Sequence, residues 1–107
     1  MAGSFTGKDL ANGQIATSEG DLYAVPASTV GYVKKLHVFN TNAATQTVNI
    51  YLKVSGGTSR QIRRFVLDQY ESAEIENIGP LTAATAIRAV TTTTTAVDYF
   101  VSGIEEV

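Results

Sequence analysis

The sequence predicts an all-β protein, a single antiparallel β-sandwich of about eight short strands, of immunoglobulin-like or jelly-roll type. The chain of 107 residues contains 14 threonines and 11 valines against 6 leucines, and β-branched side chains favour strands over helices. Turn-forming residues recur roughly every 10 residues along it. Residues 47–54 alternate between polar and apolar side chains, which is typical of a strand with one buried face.

The polar segment at residues 1–9 predicts an N-terminal arm, followed by a sandwich domain at residues 10–107. The segment contains small and polar residues around the isolated aromatic Phe5. We expect the first strand around Gln14–Thr17. A second strand follows at Leu22–Val25, where Pro26 ends it.

The third strand is predicted at Val30–Thr41. Strict alternation places large side chains on both of its faces, so we expect it to be central in a sheet. One face would contain Tyr32, Leu36 and Val38, and the other would contain Val33, Lys35, His37 and Phe39.

The clearest strand is the next one, with Val48, Ile50, Leu52 and Val54 on its buried face. Gly56 and Gly57 supply the permissive backbone of a hairpin. The remaining strands are predicted at Arg60–Leu67, at Tyr70–Ile78 before the Gly79-Pro80 stop, at Ala86–Val90 and at Val97–Ile104. The threonine run at residues 91–95 predicts a hairpin or an edge between the last two.

Composition and charge exclude several classes of protein. The absence of cysteine excludes disulfide scaffolds, cysteine-ligated zinc and thiol chemistry. The net charge of −2 provides no general attraction to nucleic acid or anionic membranes, and we expect neither as a partner. The polar N-terminus does not resemble a signal peptide, and no run approaches the roughly 20 apolar residues of a spanning helix. We therefore expect a soluble protein.

Two groups of residues could support chemistry, and each has a simpler interpretation. His37, the only histidine, is interpreted as a packed or surface residue because a catalytic base needs an orienting partner. Glu74 and Glu76 share one side of a strand, and a hairpin would place them opposite the arginines of the preceding strand as cross-strand ion pairs. A subunit contact, a calcium site or a catalytic carboxylate pair are the alternatives for these glutamates. We expect no enzyme activity, no cofactor and no metal.

Two surfaces could bind a partner. The arginines Arg60, Arg63 and Arg64 are the best candidate for a surface that binds an anionic partner. A sugar-binding face is the alternative, because aromatic rings stack on sugars. Its residues would be the tyrosines at positions 23, 32, 51, 70 and 99.

Four segments together resemble a known pattern. They are a Leu-Tyr-x-Val-Pro-Ala segment, a valine-rich strand, an Asn-Thr turn and an alternating strand that ends in Ser-Gly-Gly, at Leu22–Ala27, Val30–Phe39, Asn40–Thr41 and Val48–Gly57. This order is similar to that in small β-sandwich proteins encoded among the virion genes of tailed bacteriophages.

The resemblance implies a structural protein of the virion and no catalytic residues. We expect a capsid decoration or cement protein, a dimer or trimer, that binds the major capsid protein or another virion protein. The expected partner-binding residues are Phe5 and Lys8, in an arm held by a neighbouring subunit or the capsid, together with Arg60, Arg63 and Arg64. The alternative is a tail or fibre accessory module that binds carbohydrate or a receptor, which an exposed tyrosine cluster in a concave surface would favour.

Overall fold

A computed structural model of the chain describes residues 5–93 and 96–107, with side chains from residue 10 onward. The described residues form eight strands, and they contain no helix long and apolar enough to cross a membrane. The strands are β1 (Phe5–Gln14), β2 (Gly20–Ala24), β3 (Val30–Asn40), β4 (Gln46–Lys53), β5 (Arg60–Leu67), β6 (Ser72–Leu81), β7 (Ala86–Thr91) and β8 (Val97–Glu106). The predicted all-β sandwich is confirmed.

The strands form two four-stranded antiparallel sheets. The first sheet has the order β1-β8-β3-β6, and the second has the order β2-β7-β4-β5. Four ladders are nested, namely β1 with β8, β2 with β7, β3 with β6 and β4 with β5, so the chain is one long antiparallel ribbon whose tip is the β4–β5 hairpin. Rolling up the ribbon adds the ladders of β3 with β8 and β4 with β7. This order is that of a jelly roll, one of the two predicted sandwich types.

The core lies between the sheets and follows the alternation of the inner strands. Val48 and Ile50 of β4 are fully buried, as predicted, and pack with Leu36 and Val38 of β3 and Val101 of β8 in one cluster. The prediction was wrong for Val54, which lies beyond the end of β4 and is 54% exposed. The ladder of β4 with β5 ends at Leu52 and the ladder with β7 ends at Lys53, so no neighbouring strand covers Val54.

A β-bulge in β3 overturns the strict alternation expected there. Val33 is buried on the same side as Leu36 and Val38, whereas Tyr32 is only partly buried. The register with β8 shifts between Val33 and Lys35, so Lys34 is an extra residue that resets the alternation. The β8 backbone approaches this bulge so closely that a Cβ atom on Gly103 would lie 2.0 Å from the Tyr32 carbonyl oxygen.

The N-terminal strand begins earlier than expected. β1 runs from Phe5 to Gln14 and pairs with β8, so the strand predicted around residues 14–17 was wrong. The backbone of residues 5–9, which we assigned to an arm, is part of the first sheet. A sheet edge accepts such a polar segment because its main-chain groups pair whatever the side chains are. Residues 1–4 lie outside the described part of the chain, and so do Thr94 and Thr95 of the threonine run.

The sixth strand does not stop at Gly79 and Pro80, as expected, but continues to Leu81. Proline has no N–H group to donate to a neighbouring strand. β6 lies at the edge of the first sheet, where one side of the strand has no neighbour, so the proline costs no ladder hydrogen bond there.

A polar pair is buried between the sheets at one end of the sandwich. The Tyr23 hydroxyl of β2 donates a hydrogen bond of 2.6 Å to Oε2 of Glu105 in β8, and both residues are less than a tenth exposed. Gly31 makes room for the ring, because a Cβ atom there would lie 3.0 Å from the hydroxyl oxygen. Burial raises the pKa of Tyr23 well above its usual value, and the adjacent Glu105 raises it further.

We expect the Tyr23→Phe substitution to lower the free energy of unfolding by about 1–3 kcal/mol at neutral pH, because the buried carboxylate loses a donor. The wild-type protein should also lose stability as pH rises above about 10, where tyrosine ionises in the unfolded but not in the folded chain. Urea denaturation at several pH values measures both effects. The alkaline loss should be smaller in Tyr23→Phe, and equal losses would contradict the assignment.

Candidate interaction surface

The first sheet has one side that faces away from the core, which we call the outer face. Register and alternation with buried Leu36 and Val101 place side chains of all four strands on it. They include Asn12 and Gln14 of β1, Asp98, Phe100, Ser102 and Ile104 of β8, Tyr32, Lys35, His37 and Phe39 of β3, and Ser72, Glu74 and Glu76 of β6. Alternation along β8 places Phe100, Ser102 and Ile104 on one side of that strand.

Large apolar groups interrupt this otherwise polar face on its inner strands. Phe100 and Ile104 lie four residues apart on β8 and are 46% and 38% exposed, and Phe39 lies near Phe100 on β3, partly buried. Outward positions on a solvated antiparallel sheet are usually polar, so exposed large apolar groups on an inner strand are typical of a surface that contacts another molecule.

The outer face contains two shallow, open depressions, one toward each end. One has a volume of about 560 Å³ and is lined by Phe39, Phe100 and polar side chains that include His37 and Asp98. The other, of about 360 Å³, is lined by Tyr32, Ile78 and Ile104, among others. Both are wide and exposed to solvent, and each has one of the exposed apolar groups of β8 in its wall.

The glutamates of β6 have different partners from those expected. Oε2 of Glu74 lies 3.1 Å from His37 Nδ1 and 3.4 Å from Lys35 Nζ, both on β3. The hydrogen bond with His37 lowers the pKa of Glu74 below its usual value, and the nearby charge of Lys35 lowers this pKa further. All three side chains are about two-fifths exposed, so the cluster is a solvated ion-pair group.

The predicted ion pairs between the arginines of β5 and the glutamates of β6 do not form within the chain. β5 belongs to the second sheet and β6 to the first, because the connection at residues 68–71 crosses between sheets where we had expected a hairpin. Both strands are edge strands. They lie on the same lateral side of the sandwich, opposite the side that β1 and β2 form.

The three arginines are exposed but do not form one patch. Arg64 pairs in register with Asn49 and therefore projects from the outer side of the second sheet. Arg63 projects to the other side, where its guanidinium lies 4.8 Å from the centre of the Phe65 ring. Arg60 begins the strand opposite Leu52. Among the described residues, none of the three arginines has an ion-pair partner, so their charge is uncompensated on this edge.

Another charged cluster, on the second sheet, was missed by sequence reasoning. Arg88 of β7 forms two ion pairs. Its Nη1 lies 2.9 Å from Oε2 of Glu19, and its Nε lies 2.9 Å from Oδ1 of Asp21. Ser59 also donates a hydrogen bond to Glu19, so the cluster joins the loop before β2 to the end of the β4–β5 hairpin. Arg88 lies between buried Ile87 and Ala89, and this alternation was the signal that it points outward.

The tyrosines are dispersed over the structure and do not form the cluster that a sugar-binding face would need. Tyr23 is buried, and Tyr99 is partly buried with its hydroxyl donating to the Leu22 carbonyl at 3.3 Å. Tyr32 lies on the outer face of the first sheet, and Tyr51 projects from the second sheet. Tyr70 is 59% exposed in the connection between β5 and β6.

The other predicted partner-binding residues, Phe5 and Lys8, have their backbones in β1, paired with Glu106 and Gly103. Their side chains lie outside the described part of the structure. In that described part, no three histidine, aspartate or glutamate side chains lie close enough together to hold a metal ion. Comparison of the chain with protein-family models, with curated proteins and with solved structures finds no match.

Proposed function

We propose that this protein is a structural component of a phage virion, a capsid decoration or cement protein that binds the outer capsid surface and stabilises the particle. The observation that most favours a binding role is the exposure of Phe100 and Ile104 on the outer face, although β8 is an inner strand. The resemblance of residues 22–57 to small virion proteins supplies the choice of partner, the major capsid protein.

The shape of the outer face suits this role. It is broad, its depressions are shallow, and charged and amide side chains lie beside the apolar groups Phe100 and Ile104. Protein–protein interfaces combine apolar contact groups with polar side chains in this way. A single contact of this size is weak, but a capsid repeats it by symmetry, and an oligomer that binds several sites at once gains effective affinity without new contacts.

The test uses capsids purified from particles that lack the protein. Wild-type protein added back should bind them and raise the temperature at which they release their DNA. The double variant Phe100→Ser, Ile104→Ser should bind at least about tenfold more weakly, because it loses both exposed apolar groups of β8. Val54→Ser is the control, since Val54 is a still more exposed apolar residue that lies at the β4–β5 hairpin. Unchanged binding by the double variant would show that the outer face is not the docking surface.

Electron microscopy of particles with and without the protein distinguishes decoration from the alternative role in a tail or fibre. Density lost from the outer shell agrees with the proposal. Density lost only from the tail or a fibre contradicts it. The dispersed tyrosines are a point against the carbohydrate-binding alternative, which needs clustered aromatic rings.

A further inference from the structure

We infer that two copies of this chain associate through the edge strands β5 and β6, with β5 of each copy pairing with β6 of the other. Both edges lack a neighbouring strand within the chain, and they lie on the same lateral side of the sandwich. An edge strand exposes a row of unpaired N–H and C=O groups that another strand can satisfy. A second copy is the occupant that the following observations favour.

The two edges have opposite charges. β5 contains three arginines and no acidic residue, and β6 contains Glu74 and Glu76 and no basic residue. None of the three arginines has an ion-pair partner among the described residues, and neither does Glu76. Pairing β5 with another β5, or β6 with another β6, would place like charges opposite one another, which is destabilising. The charges therefore permit only the mixed pairing.

The geometry allows both mixed pairings in one symmetric dimer. The short connection at residues 68–71 reverses the chain between β5 and β6, so the two strands run antiparallel. A two-fold axis parallel to the strands on this side places β5 beside the partner's β6 and β6 beside the partner's β5, both antiparallel. The first sheet of each copy then continues into the second sheet of the other, and the interface is closed.

The faces of the side chains also agree with this arrangement. Arg64 projects from the outer side of the second sheet, and Glu76, which pairs in register with Lys35, projects from the outer face of the first. In a continuous composite sheet these two outer sides are the same side. Arg64 and Glu76 lie four and five residues from the connection at residues 68–71, and a two-fold axis along the strands keeps these heights, so it brings Arg64 of one copy close to Glu76 of the other, twice per dimer. β5 also presents Val66 and Ile62, which are 58% and 39% exposed and would be partly covered.

The test measures the mass of the intact chain by sedimentation and by light scattering over a wide range of concentration. The wild-type protein should approach twice the chain mass of 11.4 kDa as concentration rises. Arg64→Glu and Glu76→Arg should each weaken dimerisation by at least about tenfold, because each places like charges together at two symmetric positions. Lys53→Glu makes the same charge change on an exposed residue away from this edge, and it should dimerise like the wild type.

Mixing the two single variants provides the sharpest result. The Arg64→Glu copy then has two glutamates at the contact and the Glu76→Arg copy has two arginines, so a heterodimer restores both attractions. The mixture should recover the wild-type mass, as should the double variant that exchanges both charges. A wild-type chain that stays monomeric, single variants that still dimerise, or a mixture that stays monomeric would each overturn the inference. The dimer is independent of the proposed function, since binding to capsids does not enter this measurement.

Discussion

The Gly103→Ala substitution is expected to destabilise the protein by at least about 3 kcal/mol. The added Cβ atom would lie 2.0 Å from the Tyr32 carbonyl oxygen and 3.0 Å from the Lys34 amide nitrogen. Both neighbours are backbone atoms of the bulge in β3, so no side-chain rotation can relieve the overlap. β3 and β8 would have to separate in the middle of the first sheet, where both are inner strands.

Urea denaturation of the purified variant measures the loss in free energy of unfolding. A variant that cannot be obtained in folded form would also agree with the expected destabilisation. Gly20→Ala is the matched control, because it makes the same change in β2, where the nearest atom to the added Cβ lies 3.9 Å away. That variant should change the free energy of unfolding by less than about 1 kcal/mol. Wild-type stability in Gly103→Ala would show that the two strands do not approach as closely as described.

The Asn40→Ala substitution is expected to cost about 3 kcal/mol or more, through lost hydrogen bonds instead of overlap. Asn40 is fully buried at the end of β3. The two N–H groups of its amide nitrogen are shared among the carbonyls of Ala44, Leu67 and Asp68, which lie 2.9–3.1 Å away, and its side-chain oxygen accepts from the Asn42 amide at 2.9 Å. The side chain therefore joins the β3–β4 turn to the point where the chain crosses from the second sheet to the first.

Two further variants separate the hydrogen bonds from the volume of the side chain. Asn40→Asp keeps the shape but has no amide donors and places a carboxylate near three carbonyls, so it should also be strongly destabilised. Asn42→Ala removes one hydrogen bond, to the Ala44 amide in an exposed turn, and should cost less than about 1 kcal/mol. If thermal or urea denaturation found Asn40→Asp as stable as the wild type, the hydrogen bonds that the Asn40 amide donates would contribute nothing to stability.

The elements with local signals were predictable from the sequence. The predicted bounds of β5 are those observed, and the buried positions Val48 and Ile50 of β4 follow from period-two alternation. The bulge in β3 could not be predicted, because it depends on Gly103, which lies about 70 residues away in sequence and opposite it in the sheet. The start of β1 was missed for a related reason, since its pairing with β8 is made by backbone atoms.

The outer face was predictable in part. Alternation placed Phe100, Ser102 and Ile104 on one side of a strand, but four strands must be in register before their neighbours become known. The ion pairs expected between β5 and β6 failed because a four-residue connection can close a hairpin or cross between sheets, and its composition does not distinguish the two. Glu74 instead forms ion pairs with Lys35 and His37, which lie near it only because β3 and β6 pair.

The nested ribbon has a consequence for how the chain acquires its structure during synthesis. The β4–β5 hairpin can form as soon as its residues leave the ribosome, whereas β8, the eighth of the described strands in chain order, lies between β1 and β3 in the first sheet. Until it arrives, β1 has no strand to pair with, and β3 lacks its partner on one side. Pairing between strands so distant in sequence is slow, because a long loop must close before any contact forms. The first sheet is therefore completed only after β8 has left the ribosome, and a nascent chain that stalls before residue 97 would leave two strands open to unproductive pairing.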